Sequence, residues 1–225
     1  MADSLEANLA SVRHAIARSA ERVGRDPQEI VLVAVTKTFP VERIREAMTL
    51  GLRRFGENRV QEALPKIEEI GPADVDWHLI GHLQTNKIKF VDGRFRMVQS
   101  IDSIGLAEAL DRRVQGPLEV LIEVNVAKEP QKTGALPADL AGIAAAVNAT
   151  PRLRLRGLMT VAPMVADPEQ VRPIFRRLRA LRDETSRQLG TPLPVLSMGM
   201  TDDYAIAVEE GATMLRLGRA LFGPR

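Results

Sequence analysis

The 225-residue sequence has no cysteine, three histidines, one tryptophan, one tyrosine and six lysines. Without cysteine there is no disulfide, thiolate nucleophile, iron–sulfur cluster or Cys-ligated zinc. Three histidines leave little for a His-rich metal site. His78 and His82 are four apart, but Gly81 and a strand-like context spoil helical ligand geometry, and no HExxH occurs. Walker A and GxGxxG loops are also missing, so nucleotide-type phosphate binding has no support. No stretch reaches the ~18 uninterrupted apolar residues of a membrane span. The N-terminus lacks the basic and apolar regions of a secretory signal, so a cytoplasmic location is the default expectation. Thirty-one basic against 29 acidic residues give +2, which is not the footprint of a nucleic-acid binder.

What is present is ordinary for a globular chain: 45% hydrophobic and 27% charged residues. Against about 150 residues per domain, the length allows one large domain or two small ones. No Gly/Ser/Pro linker, charge block or low-complexity stretch divides the chain. The first residues read as an amphipathic helix, with Leu5, Leu9, Val12, Ile16 and Val23 on one stripe. Asp3, with Glu6 three residues on, offers a capping-box start.

After that helix the period changes. Ile30 to Val35 is continuous and β-branched, as in a parallel strand covered on both faces. Thr36-Lys37-Thr38-Phe39-Pro40 follows as a polar turn, and Val41, Ile44, Ala47 and Met48 resume helical spacing. The unit recurs from Arg53 to Gly56, Trp77 to Ile80, Met97 to Ile101, Leu118 to Val126, Leu153 to Val161, Pro194 to Ser197 and Thr213 to Leu217. Helical stretches separate these runs, with Asp102 or Ser103 available as one N-cap and Asp167-Pro168 as another start. Pro173 sits awkwardly near that second start. Eight strands alternating with helices predict an α/β fold with a parallel sheet. The count favours a (β/α)8 TIM-type barrel using residues 1–225 as one domain, with residues 1–26 as an extra N-terminal helix packed on it. An open doubly wound sheet is the alternative.

In such a barrel the site lies at the C-terminal ends of the strands. Lys37, Asn58, His82, Met159, Ser197 to Thr201 and Arg216 to Arg219 qualify by position. Lys37 directly follows a strand, whereas Lys66, Lys87, Lys89, Lys128 and Lys132 fall in helical or loop stretches. Desolvation at a strand end favours a neutral amine that can attack a carbonyl. The same position also suits a lysine that snorkels to water. Ser197-Met198-Gly199-Met200-Thr201-Asp202-Asp203 and Arg216-Leu217-Gly218-Arg219-Ala220 are two strand-to-helix junctions. Hydroxyls, glycines and helix N-terminal amides there suit an anion, and the last two strands are where barrels commonly take phosphate. Asp183 and Glu184 lie among the arginines from Arg172 to Arg187, and the stretch reads as a solvated helix face.

These residues carry a resemblance. Val33-Ala34-Val35-Thr36-Lys37, Phe55-Gly56-Glu57-Asn58, and His78 to Gln84 with Asn86-Lys87 resemble the YggS/PROSC family. So do Arg156-Gly157-Leu158-Met159, Leu196 to Asp203, and Arg216-Leu217-Gly218 with Leu221-Phe222-Gly223. The family comprises pyridoxal phosphate (PLP) homeostasis proteins, and the resemblance runs from the first helix to the last residue. It implies a barrel similar to the N-terminal domain of alanine racemase, the fold-type III PLP proteins. It implies PLP held on Lys37 as an internal aldimine, with phosphate contacts from Ser197, Thr201 and backbone amides around Gly199 and at Gly218-Arg219. By the same resemblance Arg216 faces the pyridine nitrogen, while Asn58 and Met159 line the ring. Thr201 stands where serine is usual and keeps the hydroxyl. Arg219 stands where a small hydroxyl residue is common, so only its backbone N–H is assigned to phosphate.

Arginine opposite the ring nitrogen cannot give up its proton, so the nitrogen stays unprotonated and the ring is a poor electron sink. That disfavours transamination but not racemisation. Related racemases take a second acid/base tyrosine from an additional β-domain, for which a chain ending at Arg225 is expected to have no room. The only tyrosine, Tyr204, reads as a helix-surface or packing residue. The expectation is therefore a PLP carrier with no or marginal catalysis, serving storage, buffering or delivery, with PLP-dependent apoenzymes as possible partners. The alternatives are a fold-type III amino-acid racemase or aldolase, and a barrel lyase using Lys37 on a sugar phosphate if PLP does not bind.

Overall fold

Eight short segments bounded by polar turn residues form strands; β-branched and aliphatic residues dominate the first of them, while Phe55 and Trp77 supply the buried apolar side chains of the second and third. They are β1 (Val31–Val35), β2 (Arg54–Glu57), β3 (Asp76–Leu79), β4 (Met97–Ile101), β5 (Leu118–Glu123), β6 (Leu153–Met159), β7 (Val195–Ser197) and β8 (Met214–Leu217). Each strand pairs in parallel with the next, and β8 returns to β1 to close the barrel. Closure excludes the open doubly wound sheet. The computed structural model describes residues 4–71 and 75–224.

The helices are α1 (Leu5–Glu21), α2 (Val41–Thr49), α3 (Val60–Ile70), α4 (Ile104–Asp111), α5 (Leu140–Ala149), α6 (Arg172–Leu189), α7 (Tyr204–Glu209) and α8 (Arg219–Phe222). Helix α1 packs on α7 and α8, burying Leu5, Leu9, Val12 and Ile16. Its cap is Ser4, whose Oγ accepts from the Ala7 N–H at 3.1 Å; Asp3 lies outside the described residues. The β3–β4 crossover is a 3-10 helix, Thr85–Phe90, too short for two α-helical turns. Ser103 caps α4. Asp167 caps a 3-10 turn over Pro168–Val171, and α6 starts only at Arg172. Pro173 thus falls in the first turn of α6, where its missing N–H does no harm.

Inside the barrel, Val33, Met97, Leu121, Met159 and Met214 form one apolar cluster, with Val31, Val161 and Val195 against it. Side chains two apart on a strand share a face. The residues two beyond Met97, Leu121, Val195 and Met214 are Gln99, Glu123, Ser197 and Arg216, and all four are buried. On these four strands the interior changes from apolar to polar in one step toward the C-terminal ends, while Met159 stays apolar in the same layer. Gly157 permits β6 and β7 to approach, since a Cβ there would stand 1.7 Å from the Val195 carbonyl oxygen.

Candidate functional site

Lys37 follows β1 at the barrel mouth and is half-buried. Thr38 next to it takes a left-handed φ of 68°, which turns the chain immediately after the lysine. Thr36 before it is tied down twice. Its Oγ1 donates to Glu57 Oε1 at 2.7 Å, and its carbonyl accepts from Lys66 Nζ at 2.8 Å. Lys66, reaching in from α3, also donates to Glu57 Oε1 at 2.7 Å. The Glu57 side chain is 0% exposed and that of Lys66 12%. Burial pushes the Glu57 carboxyl up, against the hydrogen bonds from Lys66 and Thr36. Sequence reasoning missed this pair because Lys66 looked like any helical lysine. Its reach to β1 is a tertiary fact.

On the adjoining strand β8, Arg216 lies opposite Val33 and is buried. Its Nη1 donates to Ser197 Oγ at 2.6 Å and its Nη2 to the Thr160 carbonyl at 2.8 Å. Ser197 Oγ in turn donates to Gln99 Oε1 at 2.7 Å. Gln99 Nε2 lies 2.9 Å from His78 Nδ1 and 3.2 Å from the Met214 sulfur. The Met214 sulfur can only accept, which assigns the amide nitrogen to its side; the same Nε2 then donates to His78 Nδ1, and this assigns the imidazole proton to His78 Nε2. Burial, reinforced by Arg54 and Arg96, pushes His78 down to about 3, and the ring is neutral. Burial likewise pushes Arg216 down to about 10, opposed by the carboxylates of Glu123 and Asp203. It remains a cation at neutral pH.

The loops after β7 and β8 meet beside this chain. Gly199 has φ of 97°, and a Cβ there would stand 2.6 Å from that of Ala207. Its carbonyl accepts from the Arg216 N–H at 3.0 Å. Asp203 Oδ1 accepts from the Met200 N–H at 2.6 Å, and Thr201 Oγ1 accepts from the Ala220 N–H at 3.2 Å. Thr201 thereby joins the first loop to the start of α8. Gly218 lies against the end of β1, its Cβ position 3.4 Å from the Val35 carbonyl oxygen. The Arg219 guanidinium pairs with Asp202 at 2.5 Å, both side chains more than half exposed.

Met159 is fully buried at the end of β6, in register with Glu123 on one side and Ser197 on the other. Glu123 Oε1 accepts from Thr133 Oγ1 at 2.9 Å, and burial pushes its carboxyl up. Asn58 is half-buried after β2. Gly81 lies close on it: a Cβ at 81 would come within 2.4 Å of the Asn58 carbonyl oxygen. All the site residues named from the sequence thus fall on the C-terminal side of the barrel. Gln99, Glu57, Lys66 and Glu123 were not among them. Gln99 and Glu123 were signalled only by their register, two residues beyond an apolar inward position.

Tyr204 opens α7, half-buried, and burial pushes its hydroxyl up, opposed by the Arg18 guanidinium of α1. Among the described residues no group of three or more His, Cys, Asp or Glu is placed to hold a metal. Nor is any described helix long and apolar enough to cross a membrane.

A closed parallel barrel with a lysine after β1 and a buried arginine on β8 defines a barrel of the alanine racemase type. The family model described as "Alanine racemase, N-terminal domain" matches residues 7–225. The chain is 44% identical over 223 residues to the "Pyridoxal phosphate homeostasis protein" of Aquifex aeolicus, covering 96% of each. It is 43% identical over 221 residues to the protein of that name from Pseudomonas aeruginosa, covering 97% of this chain and 94% of the relative. The structure of PipY from Synechococcus elongatus with PLP bound superposes with a TM-score of 0.85 at 36% identity, over 98% of this chain and 100% of PipY. Alanine racemase from Corynebacterium glutamicum shares the fold, with a TM-score of 0.69 at 21% identity, and this chain spans 62% of its length. The protein belongs to the pyridoxal phosphate homeostasis family within that barrel class.

Proposed function

We propose that the protein binds PLP covalently through Lys37 as a Schiff base and serves in PLP homeostasis, storing, buffering or delivering the cofactor. The observation that carries this is a lysine after β1 combined with a hydrogen-bonded, buried guanidinium on the adjoining β8. PLP supplies an aldehyde that condenses reversibly with primary amines.

The chain's own residues fit the group. Two bonds fix the plane of Arg216, and a guanidinium has five donors in all, so donors remain for a ring nitrogen. Because arginine does not surrender its proton, a nitrogen facing it stays unprotonated. Thr201 accepts at its oxygen, which leaves its hydroxyl hydrogen to donate. That hydrogen and the amides around Gly199, Gly218 and Arg219 form the phosphate cradle, in the manner of backbone nests and helix starts. Asn58 and Met159 border the ring. The whole chain acts as one barrel unit with α1 packed on its outside.

Efficient racemisation needs a second acid/base group on the opposite face of the cofactor, worth about 10²–10⁴ in rate. The one tyrosine, Tyr204, lies in the outer helical layer beside α1, so a carrier without efficient catalysis is the reading that fits. Recipient PLP-dependent apoenzymes are its natural partners. Titration with PLP is expected to give a yellow protein whose Schiff-base absorbance is absent in Lys37→Ala. A colourless wild type at saturating PLP overturns the binding reading. Turnover of any amino acid in a racemisation panel at an ordinary rate of about 1 s⁻¹ or more overturns the carrier reading.

A further inference from the structure

We infer that Ser197 and Gln99 are positioning residues for Arg216, and that Ser197 is not a phosphate ligand. The inference rests on the PLP reading above and goes beyond it by reassigning one residue of the cradle and adding another.

The direction of each hydrogen bond carries the argument. Phosphate oxygens only accept hydrogen bonds, so a hydroxyl ligand must give phosphate its single proton. Gln99 presents Nε2 to the Met214 sulfur at 3.2 Å, a group that only accepts, and the same nitrogen lies 2.9 Å from His78 Nδ1. Its Oε1 is therefore turned to Ser197 and takes the hydroxyl proton at 2.7 Å. The serine oxygen keeps only lone pairs, and Arg216 Nη1 donates to one of them at 2.6 Å, a short charge-assisted contact. Thr201 shows the opposite polarity, since its oxygen accepts from the Ala220 N–H and its proton stays available. Burial completes the contrast: Ser197 and Gln99 are fully buried, whereas Thr201 is only partly covered. A neutral imidazole thus fixes an amide, the amide fixes a hydroxyl, and the hydroxyl fixes the guanidinium that meets the ring.

Two ligands separate the roles, because pyridoxal keeps the ring and, in equilibrium with its internal hemiacetal, the aldehyde, but has no phosphate; each variant is compared with wild type on the same ligand. Kd for each is measured by Schiff-base absorbance on the full chain, with the pH titration of that absorbance recorded alongside. Ser197→Ala is expected to weaken both ligands by the same factor, about tenfold, and to shift the pH titration. Gln99→Leu should do the same, and the double variant should lose little more than either alone, as expected of coupled groups. Thr201→Val should weaken PLP and leave pyridoxal unchanged. Loss of PLP affinity in Ser197→Ala with pyridoxal unaffected would overturn the assignment. So would Gln99→Leu binding both ligands with wild-type Kd and an unshifted titration. If Gln99→Leu fails to fold, the two-ligand comparison in Ser197→Ala decides alone. A wild type that forms no Schiff base with either ligand overturns the PLP reading itself and this assignment with it.

Discussion

Acidification from pH 7 to pH 5 is expected to remove about 2 kcal/mol of stability through His78 alone. In the unfolded chain this imidazole titrates at the ordinary 6.5, and in the barrel it is pushed down to about 3. Between those values the unfolded state takes up a proton that the native state refuses. The stabilisation is therefore present above 6.5 and falls as pH drops toward 3. Each pH unit is worth about 1.4 kcal/mol, and pH 5 lies 1.5 units below the unfolded value of 6.5. The figure at pH 5 does not depend on the native pKa as long as that lies well below 5. The assay is urea unfolding at both pH values for wild type and His78→Leu, with linear extrapolation. The variant strips Gln99 Nε2 of its nitrogen acceptor, at a cost of about 1–3 kcal/mol at pH 7. Its loss between pH 7 and pH 5 should nevertheless be smaller than that of wild type by about 2 kcal/mol. Glu57, Glu123 and Asp203, whose raised carboxyls act with the opposite sign, are common to both proteins and cancel. Equal losses in the two proteins would refute a neutral buried His78.

Lys66→Met leaves the Glu57 carboxylate buried without its ammonium and should destabilise the fold by about 3–5 kcal/mol at neutral pH. Part of that loss should return as pH falls and Glu57 takes up a proton; a variant as stable as wild type at pH 7 contradicts the clamp. Arg219→Ala should change stability by less than about 1 kcal/mol, as for an exposed ion pair, and leave the Kd for PLP unaltered. A tenfold weaker Kd would instead place its guanidinium on the phosphate. Tyr204→Phe should change neither the PLP absorbance nor any trace racemisation rate.

The barrel was legible because several of its strands sit in aliphatic runs and its helices carry a clear stripe, as in Ile30 to Val35 and in Leu5 to Ile16. The positions of Lys37 after β1 and Arg216 on β8 were legible from the strand pattern. The polar interior was not. Gln99 sits within Met97-Val98-Gln99-Ser100-Ile101, where a strand buried on both faces gives no alternation to reveal which side chains face the axis. Only its partners Ser197 and His78, contributed by β7 and β3, show its purpose. Glu57 and Lys66 are nine residues apart, and their meeting depends on α3 folding back over β2. The polarity of Ser197 depends on three strands at once, so the sequence motif could not separate it from Thr201. Irregular details escaped for local reasons, as where the 3-10 turn ahead of α6 moves Pro173 into the first turn of that helix.

One covalent attachment, PLP on Lys37, underlies the function proposed for the protein. Borohydride reduction of the PLP-loaded protein, followed by peptide mapping, reads both the adduct and its position. The expected result is a single phosphopyridoxyl group on the peptide containing Lys37. An adduct confined to Lys66, Lys87 or another lysine, or no adduct at all, would contradict it.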